Sequence, residues 1–201
     1  MERKMDLLGL TTLLFSDIHG KSERLARLLK LYSDTPAICL GDAVGMGEND
    51  ATLRQLRERD IPCLLGNHEV DLIHLYEVSD ENRRWLSTWP YQLREDDALL
   101  CHTWLRGRRF ENIDSLSTVE SMFASSDFRL TFVGHSHSPG WWELKQGDRP
   151  RWTHASQSWD VLWQEGSRYI IDVGSLGEPQ SPGDPNYALW DEVGVRWLKL
   201  P

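Results

Sequence analysis

Asp17, His19, Asp42, Asn67, His68, His102, His135 and His137 are side chains of the kinds that bind cations or move protons, and each follows a short apolar run. The runs end as Asp17-Ile18-His19-Gly20, Gly41-Asp42, Gly66-Asn67-His68-Glu69, Cys101-His102 and Gly134-His135-Ser136-His137. Carboxylate, amide oxygen and imidazole are borderline-to-hard ligands, suited to Mn²⁺, Fe, Zn²⁺ or Ni²⁺. A carboxylate can bridge two such ions, and a pair about 3.5–4 Å apart lowers the pKa of a shared water toward neutrality. Taken singly, Asp17, Asp42 or Asn67 reads as a turn or cap residue, and each histidine as a satisfied polar group. Their joint order is what points to a metal centre. His74 and His154 fit no such pattern.

For these side chains to meet, several strand ends must converge. Leu13 to Ser16 reads as the end of a strand, and Ser22 opens a helix with Leu25, Leu28, Leu29 and Tyr32 on one face. Ala37 to Leu40 is a second strand, Asn49 or Asp50 caps a second helix, and Ile61 to Leu65 is a third strand. Two short helices precede Pro90. Strands Tyr91 to Leu93 and Ala98 to Cys101 follow, joined by the acidic turn Glu95-Asp96-Asp97. Ser117 and Glu120 have capping-box spacing, and Leu130 to Val133 is another strand. After Gly140, strands at Trp141 to Leu144, Arg151 to Thr153, Trp159 to Trp163 and Arg168 to Val173 alternate with turns, and the last strand is near Tyr187 to Trp190. Helices alternate with strands early and hairpins dominate late. This predicts an α/β fold of two packed mixed β-sheets flanked by helices, four layers in one domain over residues 1–201. Ligands bind outside the carboxyl ends of strands in such sheets, so the five strand ends would share one crevice.

The net charge of −9 argues against long nucleic acid as a partner, and the basic residues form no long block. No run reaches the roughly 20 apolar residues of a membrane span. Leu7 to Phe15 faintly imitates a signal peptide but lacks a small-residue cleavage site. Cys39, Cys63 and Cys101 each lie in an apolar run, which predicts buried free thiols in a reducing, cytoplasmic setting. No protein partner is indicated.

Together, Asp17-x-His19, Gly41-Asp42, Gly66-Asn67-His68-Glu69, His102 and Gly134-His135-x-His137 resemble the five-part signature of the calcineurin-like metallophosphoesterase superfamily. The resemblance runs from about Thr12 to Tyr187, and Val173-Gly174-Ser175-Leu176-Gly177-Glu178-Pro179 is similar to a glycine–serine turn in many small bacterial members. It implies a hydrolase of phosphoric ester bonds with two divalent metal ions as cofactors, Mn²⁺ first, with Fe, Zn²⁺ or Ni²⁺ as alternatives. By this resemblance Asp17, His19 and His137 hold the first ion, Asn67, His102 and His135 the second, and Asp42 bridges them. The bridging hydroxide would attack phosphorus in line. Asn67 would also touch a phosphate oxygen. His68 would bind no metal and would stabilise the developing charge or protonate the leaving oxygen. Ser16 and Ser136 would orient ligands from behind, and Glu69 would be a helix N-terminal acid favoured by the dipole.

The phosphoprotein phosphatases and their relatives that split symmetrical dinucleoside polyphosphates carry an Asp and an Arg after the bridging carboxylate. This chain reads Ala43-Val44-Gly45-Met46-Gly47 there. That disfavours a protein phosphatase and leaves the partner of His68 unassigned. Gly45 and Gly47 predict a loop whose backbone passes close to the site. Asp172 stands where many relatives carry Asn, and a carboxylate there would repel a dianionic monoester more than a diester. The expected substrate is small and phosphorylated, a phosphodiester or nucleotide. The alternatives are a phosphomonoesterase, including a protein serine/threonine phosphatase, and a non-catalytic scaffold of the same fold. Among the ten tryptophans, Trp104, Trp141 and Trp142 follow histidine motifs closely; they fill the core or stack a nucleobase. Arg106, Arg108 and Arg109 read as a solvated loop.

Overall fold

The structure is a computed structural model that describes residues 10–107, 109–155, 159–182, 184 and 186–201. The start of the run Leu7 to Phe15 and Arg108 lie outside the described residues. The strands are β1 (Thr12–Phe15), β2 (Ala37–Cys39), β3 (Gln92–Glu95), β4 (Ala98–Cys101), β5 (Trp104–Arg106), β6 (Arg109–Glu111), β7 (Leu130–Val133), β8 (Gly140–Lys145), β9 (Arg151–His154), β10 (Trp159–Leu162), β11 (Ser167–Asp172), β12 (Tyr187–Trp190) and β13 (Gly194–Leu198). The helices are α1 (Ser22–Leu31), α2 (Asn49–Glu58), α3 (Asn67–Val70), α4 (Asp80–Leu86) and α5 (Leu116–Ser125), with a 3₁₀ turn at Ile73–Leu75.

Two mixed sheets carry the fold. The first has the order β10-β13-β12-β1-β2 and the second β3-β4-β7-β11-β8-β9, while β5 and β6 form a separate hairpin. β1 and β2 run parallel in the first sheet, as do β4, β7 and β11 in the second. Strand alternation sorts side chains into three cores. Leu13 and Phe15 of β1 face α1 and α2, where they meet Leu25, Leu28, Leu53 and Leu56. Leu14 faces the other way, into the space between the sheets, with Ile38, Phe132, Ile171 and Trp197. Val133 and Ile170 turn outward to α5, against Val119, Met122 and Phe123. Those three cores make four layers, helix, sheet, sheet and helix, as the sequence pattern predicts. The three cysteines are buried and free, and no described helix is long and apolar enough to cross a membrane.

Several local expectations are corrected. The strand expected at Ile61 to Leu65 shrinks to a single parallel bridge, Cys39 to Cys63, because Pro62 has no N–H to give the ladder. Neither Asn49 nor Asp50 caps α2; that helix starts after Glu48 with no side-chain cap. Asn49 instead brackets Gly45, its Oδ1 accepting the Gly45 N–H and its Nδ2 donating to the Gly45 carbonyl. α5 begins two residues earlier than its expected box, with Ser115 Oγ accepting the Thr118 N–H at 3.2 Å. Arg106 and Arg109 are exposed, as expected of solvated side chains, but they pair across the β5–β6 hairpin and do not lie in a loop. β13 follows the expected last strand: Asp191 Oδ1 accepts the N–H groups of Val193 and Gly194 and turns the chain back.

Trp197 joins the two sheets. Its ring is fully buried against Trp141, 5.4 Å between centroids, and its Nε1–H donates to the Asp172 carbonyl at 2.8 Å. Replacing it leaves a large cavity between the sheets, so Trp197→Ala is expected to lose about 3–5 kcal/mol, measured by urea denaturation.

Candidate metal centre

Each strand that carries chemistry ends in a tight loop. β1 leads into Asp17 and His19, β2 into Asp42, β4 into His102, β7 into His135 and His137, and Asn67 opens α3. The backbone is left-handed at Asp17 (φ 54°), His19 (49°), Asp42 (50°), His135 (71°) and His137 (58°). That conformation costs a non-glycine residue on the order of 1–3 kcal/mol. Among the described residues only two other non-glycines adopt it, Asp60 and Asp96. Inter-loop hydrogen bonds hold the strain. The Asp17 N–H donates to the Gly41 carbonyl, the His19 N–H to that of Asp42, and the Gly134 N–H to that of His102. From the late glycine–serine turn, Ser175 Oγ and the Gly177 N–H both donate to the Asp17 carbonyl. Close approach excludes side chains at two glycines: a Cβ on Gly66 would lie 2.1 Å from Asp42 Oδ1, and one on Gly45 2.7 Å from the His19 Cα. The loop after Asp42 therefore passes close to the site, as expected.

The donors converge in overlapping groups. Asp17, His19 and His137 form one, Asp42, His102 and His135 another, and His19, Asp42 and His68 a third, with donor atoms in each within 4.8 Å of one another. His137 Nε2 is 3.2 Å and His19 Nε2 3.7 Å from Asp17 Oδ1. Asn67 Oδ1 is 3.1 Å from His102 Nε2 and 2.9 Å from His135 Nδ1, and Asp42 Oδ2 is 3.3 Å from His102 Nε2. His68 Nε2 stands 3.8 Å from Asp42 Oδ2. The structure thus brings every site residue expected from sequence to one place.

The set fits divalent ions. Asp17 is fully buried, and its Oδ1 makes no hydrogen bond, while Oδ2 accepts the His135 N–H at 2.9 Å. The charge of that oxygen is met by the His137 and His19 imidazoles 3.2 and 3.7 Å away, and a buried carboxylate so placed is further stabilised when a cation answers it. His102 Nδ1 bonds the Leu40 carbonyl at 3.0 Å, which turns Nε2 toward Asp42 and Asn67. Burial opposes charge on His102, but Asp42, Asp17 and Glu69 outweigh it and raise its pKa to about 10. Burial likewise opposes charge on Asp17, yet the neighbouring His137 and His102 hold it well below the usual carboxylate range. Imidazolium and carboxylate neutralise each other here, and a cation binding at His102 Nε2 would displace that proton.

The model of the calcineurin-like phosphoesterases matches residues 10–199. The chain belongs to that family. It is a metallophosphoesterase, a hydrolase of phosphoric ester bonds. No curated protein matches the sequence significantly. Among solved structures, a metallophosphoesterase from Sphaerobacter thermophilus is similar over 96% of this chain and 89% of its own, with TM-score 0.78 and 21% identity. The E. coli phosphoesterase Yfce is similar over 95% and 93%, with TM-score 0.53 and 19% identity. An archaeal phosphodiesterase is similar over 91% and 94%, with TM-score 0.53 and 13% identity. These likenesses show a shared fold.

Within this metallophosphoesterase, three supporting roles went unrecognised in the sequence. Glu69 is the first-turn acid of α3, as expected, and it is also buried inside the site: Oε2 accepts the N–H groups of Asp42 and Gly66, and Oε1 that of Val44. Burial and the Asp42 charge push its pKa up to about 7, against the pull of those N–H donors. Tyr76 supplies the missing partner of His68, its hydroxyl 2.7 Å from Nδ1 and its ring stacked on the imidazole. Asn112 Oδ1 lies 2.6 Å from His135 Nε2 and so fixes that ring with Nδ1 inward. The Asp172 carboxyl is buried and accepts from Ser136 Oγ and the Gly174 N–H, and burial raises its pKa to about 8, which weakens the expected repulsion of a dianionic monoester. Ser136 Oγ donates to Asp172 and Ser16 Oγ to the Gly41 carbonyl, so these bonds brace the loops and not the ligand side chains they were expected to orient. Trp141 is core, and Trp104 packs beside the α5 core under Arg106. His154 pairs with Ser138 and Asp184 away from the donor groups.

Glu69→Ala removes the acceptor from three buried N–H groups, each worth about 1–3 kcal/mol when unsatisfied. The variant is expected to lose at least about 3 kcal/mol in urea denaturation and to retain less metal after dialysis, measured by elemental analysis.

Proposed function

We propose that this chain hydrolyses a small phosphodiester or nucleotide ester using two divalent cations, Mn²⁺ foremost. One observation carries the reading: two donor groups sit side by side with the Asp42 carboxylate between them and His68 at their edge. In this reading Asp17, His19 and His137 hold one ion, Asn67, His102 and His135 the other, and Asp42 both. When bound, the ions supply a nucleophile at neutral pH and draw charge from the phosphate oxygens. The protein's part is to position. Asn67 is fixed between His102 and His135 and can offer its NH₂ to a phosphate oxygen. His68 presents Nε2 toward the centre because Tyr76 occupies Nδ1. In the imidazolium form Nδ1–H donates to the Tyr76 oxygen and Nε2 carries a second proton toward the substrate; giving that proton to the leaving oxygen leaves the neutral Nδ1–H tautomer still bonded to Tyr76. That suits protonation of a leaving oxygen.

Diesters are favoured by the stretch 43–47. No arginine stands there to clamp a dianionic phosphate; Ala43 and Val44 are buried and Met46 is exposed.

With Mn²⁺ added, bis-p-nitrophenyl phosphate is expected to be cleaved faster than p-nitrophenyl phosphate, and a chelator should abolish both rates. Unchanged turnover in excess chelator, or no turnover with Mn²⁺, Zn²⁺ or Ni²⁺, contradicts the metal-dependent reading. His68→Ala is expected to reduce kcat by about 10²–10⁴-fold on an ester with a poor leaving group, and by less on the p-nitrophenyl ester. Tyr76→Phe should show the same leaving-group dependence at a smaller size, about tenfold, as expected of a group that only positions the acid. Equal losses on good and poor leaving groups would refute the acid role.

A further inference from the structure

A cavity of about 720 Å³ opens beside the metal centre, lined by His135, Asp172, Asn112, Trp142, Trp152 and Gln180 among others. The volume is that of a small-molecule pocket. His135 belongs to both sites: Nδ1 faces Asn67, and the ring also lines the cavity. A ligand whose phosphate sits at the metal centre therefore has room to extend past His135.

The character of the walls narrows what would enter. Trp142 and Trp152 are cross-strand partners on β8 and β9, so both project from one face of the sheet. Their ring centroids are 5.5 Å apart and tilted by 47°. Trp141, one residue earlier, points the other way into the core. Trp152 is 37% exposed, a large apolar ring left at the surface. Its position is set by Gly140: a Cβ there would lie 2.7 and 2.8 Å from two carbons of the Trp152 ring, and only a bare backbone lets the indole lie so close. The described residues lining the cavity include no lysine or arginine, and they include Asp114 and Asp172. A second phosphate would find no cation there, whereas an uncharged planar ring would find aromatic walls. Asn112, Gln180 and Ser138 at the margin offer amide and hydroxyl groups of both hydrogen-bonding senses.

We propose that this cavity is a subsite for the nucleobase of a nucleotide substrate, seated against Trp152 and Trp142 while its phosphate lies at the metal centre. The proposal rests on the phosphoesterase reading above and adds the chemical class of the group the substrate carries. Base–indole stacking strengthens binding by about 5- to 150-fold.

The test compares AMP with ribose 5-phosphate, which differ only in the base, by calorimetric titration of the Mn²⁺-supplemented protein. The wild type is expected to bind AMP at least about fivefold more tightly. Trp152→Ala should bring the ratio near one, and Trp152→Phe, which restores an aromatic face, should recover much of it. Trp152 is half-exposed on an edge strand, so both variants should fold; far-ultraviolet circular dichroism checks this. AMP binding no tighter than ribose 5-phosphate, whether both bind or neither does, overturns the subsite, and so does a ratio untouched by Trp152→Ala. The phosphoesterase reading is judged apart, by metal-dependent cleavage of bis-p-nitrophenyl phosphate.

Discussion

Asp17 and Asp42 are carboxylates placed where almost no water reaches them, and the organisation of the site follows from the need to answer their charge. Leaving a buried carboxylate uncompensated costs several kcal/mol. The protein responds with backbone and imidazole. The His135 N–H meets Asp17 Oδ2, the His68 N–H meets Asp42 Oδ1, and His102 and His137 stand within 3.3 Å of the remaining oxygens. Bringing so many groups to two side chains requires loops from both sheets to reach one point. Their backbones accept left-handed turns, and Glu69 ties the Asp42 loop to the start of α3. The three cores can bear that strain because the loops spring from strands buried on both faces.

The electrostatics and the chemistry are the same arrangement seen twice. An array that would be unstable as bare carboxylate becomes favourable as a ligand set, and the imidazoles that share its charge are the ones able to give up a proton to a cation. His68 is the exception, adjacent to the carboxylate but tied to a phenol. Tyr76 frees that histidine from a fixed negative partner, a different solution from the carboxylate–histidine pair of the phosphoprotein phosphatases.

Much of this was legible in the sequence. Metal ligands come from a short list of residue types, and here they follow directly on apolar strand runs, so Asp17, His19, Asp42, Asn67, His102, His135 and His137 stood out together and the four-layer order followed from the strand and helix periods. The supporting residues did not stand out, for physical reasons. Tyr76 reaches His68 across an irregular stretch with no periodicity to place it. Asn112 follows a hairpin whose charged residues disguised it as a loop. Glu69 has the spacing of an ordinary helix-start acid, and only burial shows that it binds three N–H groups from two loops. Asp172 could not be weighed from sequence because a carboxyl's charge depends on its surroundings, and burial here raises its pKa. Pro62 cut a strand short through a missing donor that an apolar count does not register.

The donors are divided between the sheets: Asp17, His19 and Asp42 extend from the first, His102, His135 and His137 from the second. An ion shared by Asp17 and His137 would close a loop of roughly 120 residues, a cross-link that restricts the unfolded chain much as a disulfide would. Such an ion would act as a removable rivet at the end of the sandwich where the strand-end loops of both sheets meet. Pulling the sheets apart would then require breaking coordination bonds, so the protein's resistance to unfolding over time would depend on how slowly it gives up its metal.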